Sequence, residues 1–292
     1  MEKIGLVTEQ GADLPQGLIE EHKIAIAVVK LDWPDIENLP GENTFQKMRE
    51  AEKRGIKSFG KTSQPSPKSF LDCYKQQLER FEHVLCITIT SKLSGTYNSA
   101  IQARNFLLPE EQKRVFIVDS LNASAGEALP VLRAIDLAKE GKKIEDILED
   151  LKNLIPNIHL FLMFKDPKWL EASGRIPSLV AGLLKKVAKI GIRPLLTFKE
   201  GLLVRAGVKL QAKDIPTALF KQFEGEIKKS KGEQKRIKVV ITHGDNLEGA
   251  QRLKEMIEKN FSGAKVSFIN IINDIVGALV GPDTLACGWY EE

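Results

Sequence analysis

The chain is short of the residues that announce a metal centre or a disulfide scaffold. Its three cysteines, Cys73, Cys86 and Cys287, cannot all pair, and no C-x-x-C is present. Cys86 sits inside an apolar strand, where a thiol behaves as a small hydrophobe. Four histidines, His22, His83, His159 and His243, stand far apart with no other ligand type at metal spacing, which argues against zinc. Charge of one sign is also lacking. A net +4 over 292 residues is mild, and the Lys185-Lys186 and Lys228-Lys229 pairs fall on amphipathic patterns, so no nucleic-acid footprint is present. Long apolar runs are absent too: Leu179 to Ile192 is interrupted by Lys185, Lys186 and Lys189, well short of a membrane span. Met1 to Val7 enters a strand without a signal-peptide apolar region. These absences, with reduced thiols, predict a cytoplasmic protein without stable membrane insertion.

What the chain does have is hydroxyl groups at strand ends. Ile87-Thr88-Ile89-Thr90-Ser91-Lys92-Leu93-Ser94-Gly95-Thr96-Tyr97-Asn98-Ser99-Ala100 reads as a buried strand, a Ser/Thr turn and the start of a helix. The first amides of a helix have no intrahelical acceptor, and the positive end of the dipole lies behind them. Ser94 and Thr96 add hydroxyl donors, while Gly95 lets the backbone approach closely. A second corner precedes it, Lys61-Thr62-Ser63-Gln64-Pro65-Ser66-Pro67, where Ser66 is a good N-cap and Pro67 a good first residue for a helix reaching about Phe81. Each corner alone has two readings, a plain helix cap or a seat for a carboxylate or phosphate. The phosphate-loop signatures G-x-x-x-x-G-K-[ST] and G-x-G-x-x-G are missing, so a nucleotide reading lacks its mark. Ser94 also lacks the first glycine of a G-x-S-x-G nucleophile elbow. His243, closing a strand in Thr242-His243-Gly244-Asp245, reads as a helix cap or as a base in a cleft.

Strands and helices alternate through the first half. Ile4–Thr8, Ile24–Lys30, His83–Thr90 and Val115–Val118 read as strands; Gln16–His22, Phe45–Arg54, Asn98–Leu107 and Ala128–Lys139 read as helices. Asp32 to Glu42, with two prolines and a glycine, reads as a loop. This alternation predicts parallel βαβ units, with ligands collecting at the carboxyl ends of the strands. A third polar turn, from Asp119 and Ser120 to Gly126, belongs to the same edge, although an Asx-turn is the commoner task of Asp119. After the helix Ile144–Leu154, Pro156 marks a change of character. Strands follow at Leu160–Phe164, Arg193–Phe198, Leu202–Ala206, Ile237–His243 and Val266–Ile272. Helices follow at Lys168–Ser173, Ile176–Lys189, Asp214–Lys229 and Asn246–Asn260. Two α/β domains are expected, residues 1–156 and 157–292.

Several of these motifs, in order, resemble the DegV family, which includes the fatty-acid-binding subunits of bacterial fatty acid kinases. The likeness covers essentially the whole chain. It rests on the two Ser/Thr corners, on Val118-Asp119-Ser120, on Leu170-Glu171-Ala172-Ser173-Gly174-Arg175-Ile176, and on Arg193-Pro194-Leu195-Leu196 followed by Glu200-Gly201. The resemblance implies an N-terminal three-layer domain with a parallel sheet carrying a carboxylate site. A C-terminal α/β domain would cover the acyl chain, with a tunnel between or beneath them. It implies a non-enzymatic binder of a long-chain fatty acid, without cofactor or metal, with Thr62 and Ser94 holding the carboxylate. Ser63, Gly95 and Thr96 rank next, then Asp119 and Ser120. It also implies a fatty acid kinase as partner. The chain departs from the family pattern at three places. Glu9-Gln10-Gly11 replaces D-S-T, Leu279 and Asp283 stand where G-x-H-x-G-P-G has histidine and its last glycine, and no arginine follows Gly201 in the usual place, with Arg205 and Lys209 nearby. Arg175 and Arg193 are candidates for compensating charge, against turn and surface roles. The competing expectation from another class is a hydrolase or transferase acting on a small acyl or phosphoryl substrate through Ser94 or His243. An adaptor with a vestigial pocket is a third.

Overall fold

In the computed structural model of the chain, the structure is described for residues 2–174, 193–209, 214–230 and 235–292. Contacts group the chain into two units. The first takes Met1–Val29, Ser63–Ile158 and Glu200–Leu202; the second takes Lys30–Thr62, His159–Lys199 and Leu203–Glu292. The passage between units at Ile158/His159 is thus one of several, because residues 30–62 belong by contact to the second.

The first unit is built on β1 (Glu2–Glu9), β2 (Ala25–Ala27), β3 (Phe81–Thr88) and β4 (Val115–Asp119). They lie in the order β2-β1-β3-β4, every pair parallel, with Val7 beside Ala25 and Cys86, and Cys86 beside Ile117. Alternation sorts the side chains. Val7, Val84 and Cys86 point toward the helices Pro67–Leu78 and Thr96–Asn105, packing on Phe70, Tyr74, Ala100 and Ala103. The other face takes the helix Ala125–Lys139, buried over most of its circumference. Ser66 caps its helix as expected, its hydroxyl accepting from Ser69 N–H at 3.2 Å. That helix stops at Leu78 rather than near Phe81, because Phe81 is drawn into the sheet opposite Glu2.

The second unit holds a six-stranded mixed sheet of β5 (His159–Met163), β6 (Arg193–Lys199), β7 (Leu202–Lys209), β8 (Ile237–His243), β9 (Ala264–Ile271) and β10 (Leu285–Glu291). The order is β7-β6-β5-β10-β8-β9, with β8 and β9 parallel and β10 antiparallel to both neighbours. One face packs Phe161, Met163, Val239, Ile241, Cys287 and Trp289 against the helices Ile215–Ser230 and Leu247–Asn260. Trp289 anchors it, with the Phe223 ring edge-on at 4.9 Å. The segment 32–42, read as a loop, contains the short helix Pro34–Glu37, which Pro34 starts and which buries Ile36. Trp33, Ile36, Phe45 and Met48 cluster there with Trp169 and Ile272. The expected helix Ile176–Lys189 and the residue Arg175 lie outside the described residues. Among the described residues no helix is long and apolar enough to cross a membrane.

Candidate anion site at the Ser94 corner

The Ser94 corner belongs to the first unit, at the carboxyl end of β3. Thr90, fully buried, sets its shape. The Thr90 carbonyl accepts the amides of Leu93 and Ser94 at 3.1 and 3.2 Å, and its amide donates to Asn122 O. Its hydroxyl accepts Lys92 N–H at 3.2 Å and donates to Gly201 O at 2.9 Å. Gly201 lies in the tight turn between β6 and β7, where Glu200 and Gly201 have φ of 51° and 81°. Such consecutive positive values are what a primed two-residue hairpin turn needs. A Cβ on Gly201 would stand 2.5 Å from Thr90 Oγ1, so glycine is required by space as well as by conformation.

The turn then enters the helix Thr96–Asn105, two residues earlier than the apolar pattern alone indicates. Ser94 Oγ lies 2.8 Å from Thr96 Oγ1 and accepts Thr96 N–H at 3.3 Å. Ser94 thus makes a local turn bond ahead of Gly95, which is the N-cap and brings no side-chain cap, while Ser94 and Gly95 stay half-exposed. The first corner comes to the second through Gln64: a Cβ on Gly95 would meet Gln64 Nε2 at 2.8 Å. Gln64 is a residue that motif reading passes over, because its role appears only when the two corners meet. Thr62 and Ser63 flank the peptide bond at which the chain passes from the second unit to the first. Thr62 is partly buried and Ser63 exposed.

Asp119 makes the Asx-turn, with Oδ1 accepting Leu121 N–H at 2.9 Å and Oδ2 reaching Ser91 N–H at 3.1 Å. Ser120, fully buried, exchanges hydrogen bonds with the backbone of Asn122. Beneath this edge lie two buried acids, Glu9 and Glu127. Burial pushes the carboxyl of Glu9 up despite its bonds to Gly11 and Ile89, and burial beside Glu9 pushes that of Glu127 well up.

His243 and Leu279 belong to the second unit. His243 Nδ1 accepts Asn246 N–H at 3.1 Å, and burial lowers its pKa, so the ring is neutral with its proton on Nε2. In that tautomer no ring lone pair is left to act as a base. Leu279 is buried on the helix Asp274–Val280. Asp283 keeps a glycine-like φ of 63° and is bridged by Arg49 and Lys165, each at 3.0 Å. Arg205 is exposed. Among the described residues no cluster of histidine, cysteine and acid could hold a metal ion.

Residues 3–292 match the model of a family described as uncharacterised protein, DegV family. A DegV domain-containing protein of Clostridium acetobutylicum is 34% identical over 209 residues, 69% of this chain and 70% of its own. A Thermotoga maritima protein named as a fatty acid-binding protein is 28% identical over 296 residues, 98% of this chain and 97% of its own. Among solved structures, a DegV family protein of Thermus thermophilus, described for fatty acid binding, has 27% identity and a TM-score of 0.81. That match covers 99% of this chain and 100% of the other.

Proposed function

Because the chain belongs to the DegV family, we propose that it binds a long-chain fatty acid non-covalently, for transport or storage. The observation that carries this is the Ser94-Gly95-Thr96 corner, half-open at the N-terminus of a ten-residue helix with Gln64 laid over it. A helix start with added hydroxyl donors suits a carboxylate. The fatty acid binding described for the relatives at 28% and 27% identity supports the same ligand class. Thr62 and Ser94 donate to the carboxylate in this proposal, with Ser63, Gly95 and Thr96 beside them. Asp119 and Ser120 shape the turn, since their oxygens serve backbone groups. Burial of about fourteen methylenes at about 0.8 kcal/mol each gives roughly 11 kcal/mol gross. Association and ordering take back several of these. The tail thus supplies affinity and the corner fixes the head group.

The chain's own role is binding, without chemistry. The neutral His243, turned to its helix, disfavours the acyl-transfer reading. Delivery to a kinase would be a further step carried out by a partner, and Leu279 stands where the family's motif has a histidine.

Mass spectrometry of the purified protein, native and after organic extraction, tests the proposal. One fatty acid per chain is expected. An empty protein that also refuses palmitate and oleate overturns it. Ser94→Ala and Thr62→Ala should each weaken retention by about 2 kcal/mol, roughly thirtyfold, the scale of one hydrogen bond to a charged group. Turnover of an ester by the wild type, lost in Ser94→Ala with lipid retention intact, would favour the enzyme instead.

A further inference from the structure

Gly95 caps the helix Thr96–Asn105 with φ −73° and ψ 4°, values open to any residue. The need for glycine there is therefore a matter of space. A Cβ would meet three atoms of one side chain: Gln64 Nε2 at 2.8 Å, Cδ at 2.9 Å and Oε1 at 3.2 Å. The whole carboxamide of Gln64 thus lies across the start of the helix. Gln64 is exposed, and among the described residues its amide has no hydrogen-bond partner. The backbone that carries it is stiff. Gln64 precedes Pro65 and Ser66 precedes Pro67, so both are held to extended conformations. Pro65 is buried, and Ser66 anchors the next helix through the amide of Ser69.

The corner that Gln64 covers is short of donors. Ser94 Oγ accepts Thr96 N–H at 3.3 Å and lies 2.8 Å from Thr96 Oγ1, so one hydroxyl proton of the pair is spent between them. Thr96 is 2% exposed and Ser94 half-exposed. The proton left to face a ligand is accordingly that of Ser94, with the Thr96 hydroxyl donating to it. One hydroxyl serves one oxygen of a carboxylate, which offers about four lone-pair sites in all. Gly95 contributes no side chain, and the helix start supplies partial positive charge. Gln64 Nε2 brings two further N–H groups to the same residue.

We propose that Gln64 is a specificity-determining residue of this seat, donating from Nε2 to the ligand oxygen that Ser94 leaves unserved. Gly95 is then the residue that makes room for it. A neutral amide gains more from an ionised oxygen than from a hydroxyl or ester oxygen, because hydrogen bonds to charged groups are the stronger ones. The seat therefore selects a free carboxylate over the alcohol or ester of the same chain length. The tail supplies the same affinity to all three, so discrimination falls to the head group.

The inference rests on the fatty acid reading above, and its test separates the two. Delipidated protein is equilibrated at neutral pH with phosphatidylcholine vesicles carrying radiolabelled oleate or, separately, radiolabelled oleyl alcohol. The share taken by each variant is compared with that of wild type. Gln64→Glu keeps the size of the side chain, loses its N–H groups and sets a negative charge over the seat. Its retention of oleate should fall by about thirtyfold or more, and that of oleyl alcohol by less than about threefold. Gln64→Met keeps the bulk alone and should lose about tenfold for oleate. Gly95→Ala should push the carboxamide aside with a similar loss, and adding Gln64→Met to it should lower retention no further. Equal losses of acid and alcohol overturn the proposal, as does full oleate retention in Gln64→Met. A wild type that takes neither ligand overturns the fatty acid reading and the proposal together. Because Gln64 is exposed, its variants should melt with wild type, which thermal unfolding checks.

Discussion

Thr90 and Gly201 are 111 residues apart and share one hydrogen bond, yet each fixes what the other can be. Gly201→Ala would place a methyl group in the left-handed region and against the Thr90 hydroxyl. Strain of this kind costs about 2 kcal/mol. Urea unfolding should show a lower midpoint at unchanged slope, and oleate retention should fall with it. Glu127 acts on stability in the opposite sense to a salt-bridged carboxylate. Its folded pKa lies above its unfolded one, so the native state holds the proton more tightly. Stability is then greatest below the unfolded value and is lost as pH rises from there through the folded value. Glu127→Gln has no proton to lose. Its stability relative to wild type should rise with pH, as read from unfolding midpoints taken at acid, neutral and mildly alkaline pH. The residues at the strand ends were partly legible. Ser94, Gly95, Thr96 and Asp119 stand out because a strand-turn-helix junction is local, and its capping chemistry lies within a few positions. Glu9, Gln64 and Glu127 do not, since their meaning comes from partners brought in by the sheet.

Among the elements, the clearest from sequence are those with a local signal. The helix Ile144–Leu154 buries Ile144, Ile147 and Leu151 at helical spacing, β8 is a run of β-branched residues, and Ser66 announces its helix outright. Ser66→Ala should cost about 1 kcal/mol, measured by thermal melting, because the Ser69 amide loses its acceptor. The strand β10 is a different case. It lies between β5 and β8 with both faces covered, six of its seven residues buried, so it has no alternation to betray it. The following of one strand by its neighbour in sequence also fails there, because β10 is inserted between elements made much earlier. Trp289→Ala in this strand would remove the ring that packs on Phe161 and Phe223. A loss of about 4 kcal/mol is expected from chemical denaturation. The short helix Pro34–Glu37 went unread for the converse reason: its prolines and glycine look like a loop, and only burial of Ile36 and Trp33 recruits it.

For the molecule as a whole, a ligand bound by the native state alone adds to stability by mass action. Stripped protein refilled with oleate at about a hundred times its dissociation constant should gain about 2.7 kcal/mol. In calorimetry the transition should move up by roughly 4 °C for a chain of this size. An unshifted transition would mean that the ligand binds folded and unfolded chains alike, or not at all. The parallel sheet of the first unit was legible at this scale, since alternating strands and helices leave few other arrangements. The way the chain is divided was not. Nothing local marks residues 30–62 as partners of Trp169 and Ile272, or Glu200–Leu202 as a piece of the first unit.

That division sets an order of events during synthesis. Trp33, Phe45 and Met48 leave the ribosome long before Trp169 and Ile272 exist, so a stretch rich in large apolar side chains must wait, unburied, while the parallel sheet forms around its two ends. The first unit in turn is not finished until Gly201 arrives to take the hydroxyl of Thr90. A nascent chain halted at Pro156 therefore carries a complete set of parallel strands, an unsheltered tryptophan-bearing loop and an unlatched turn.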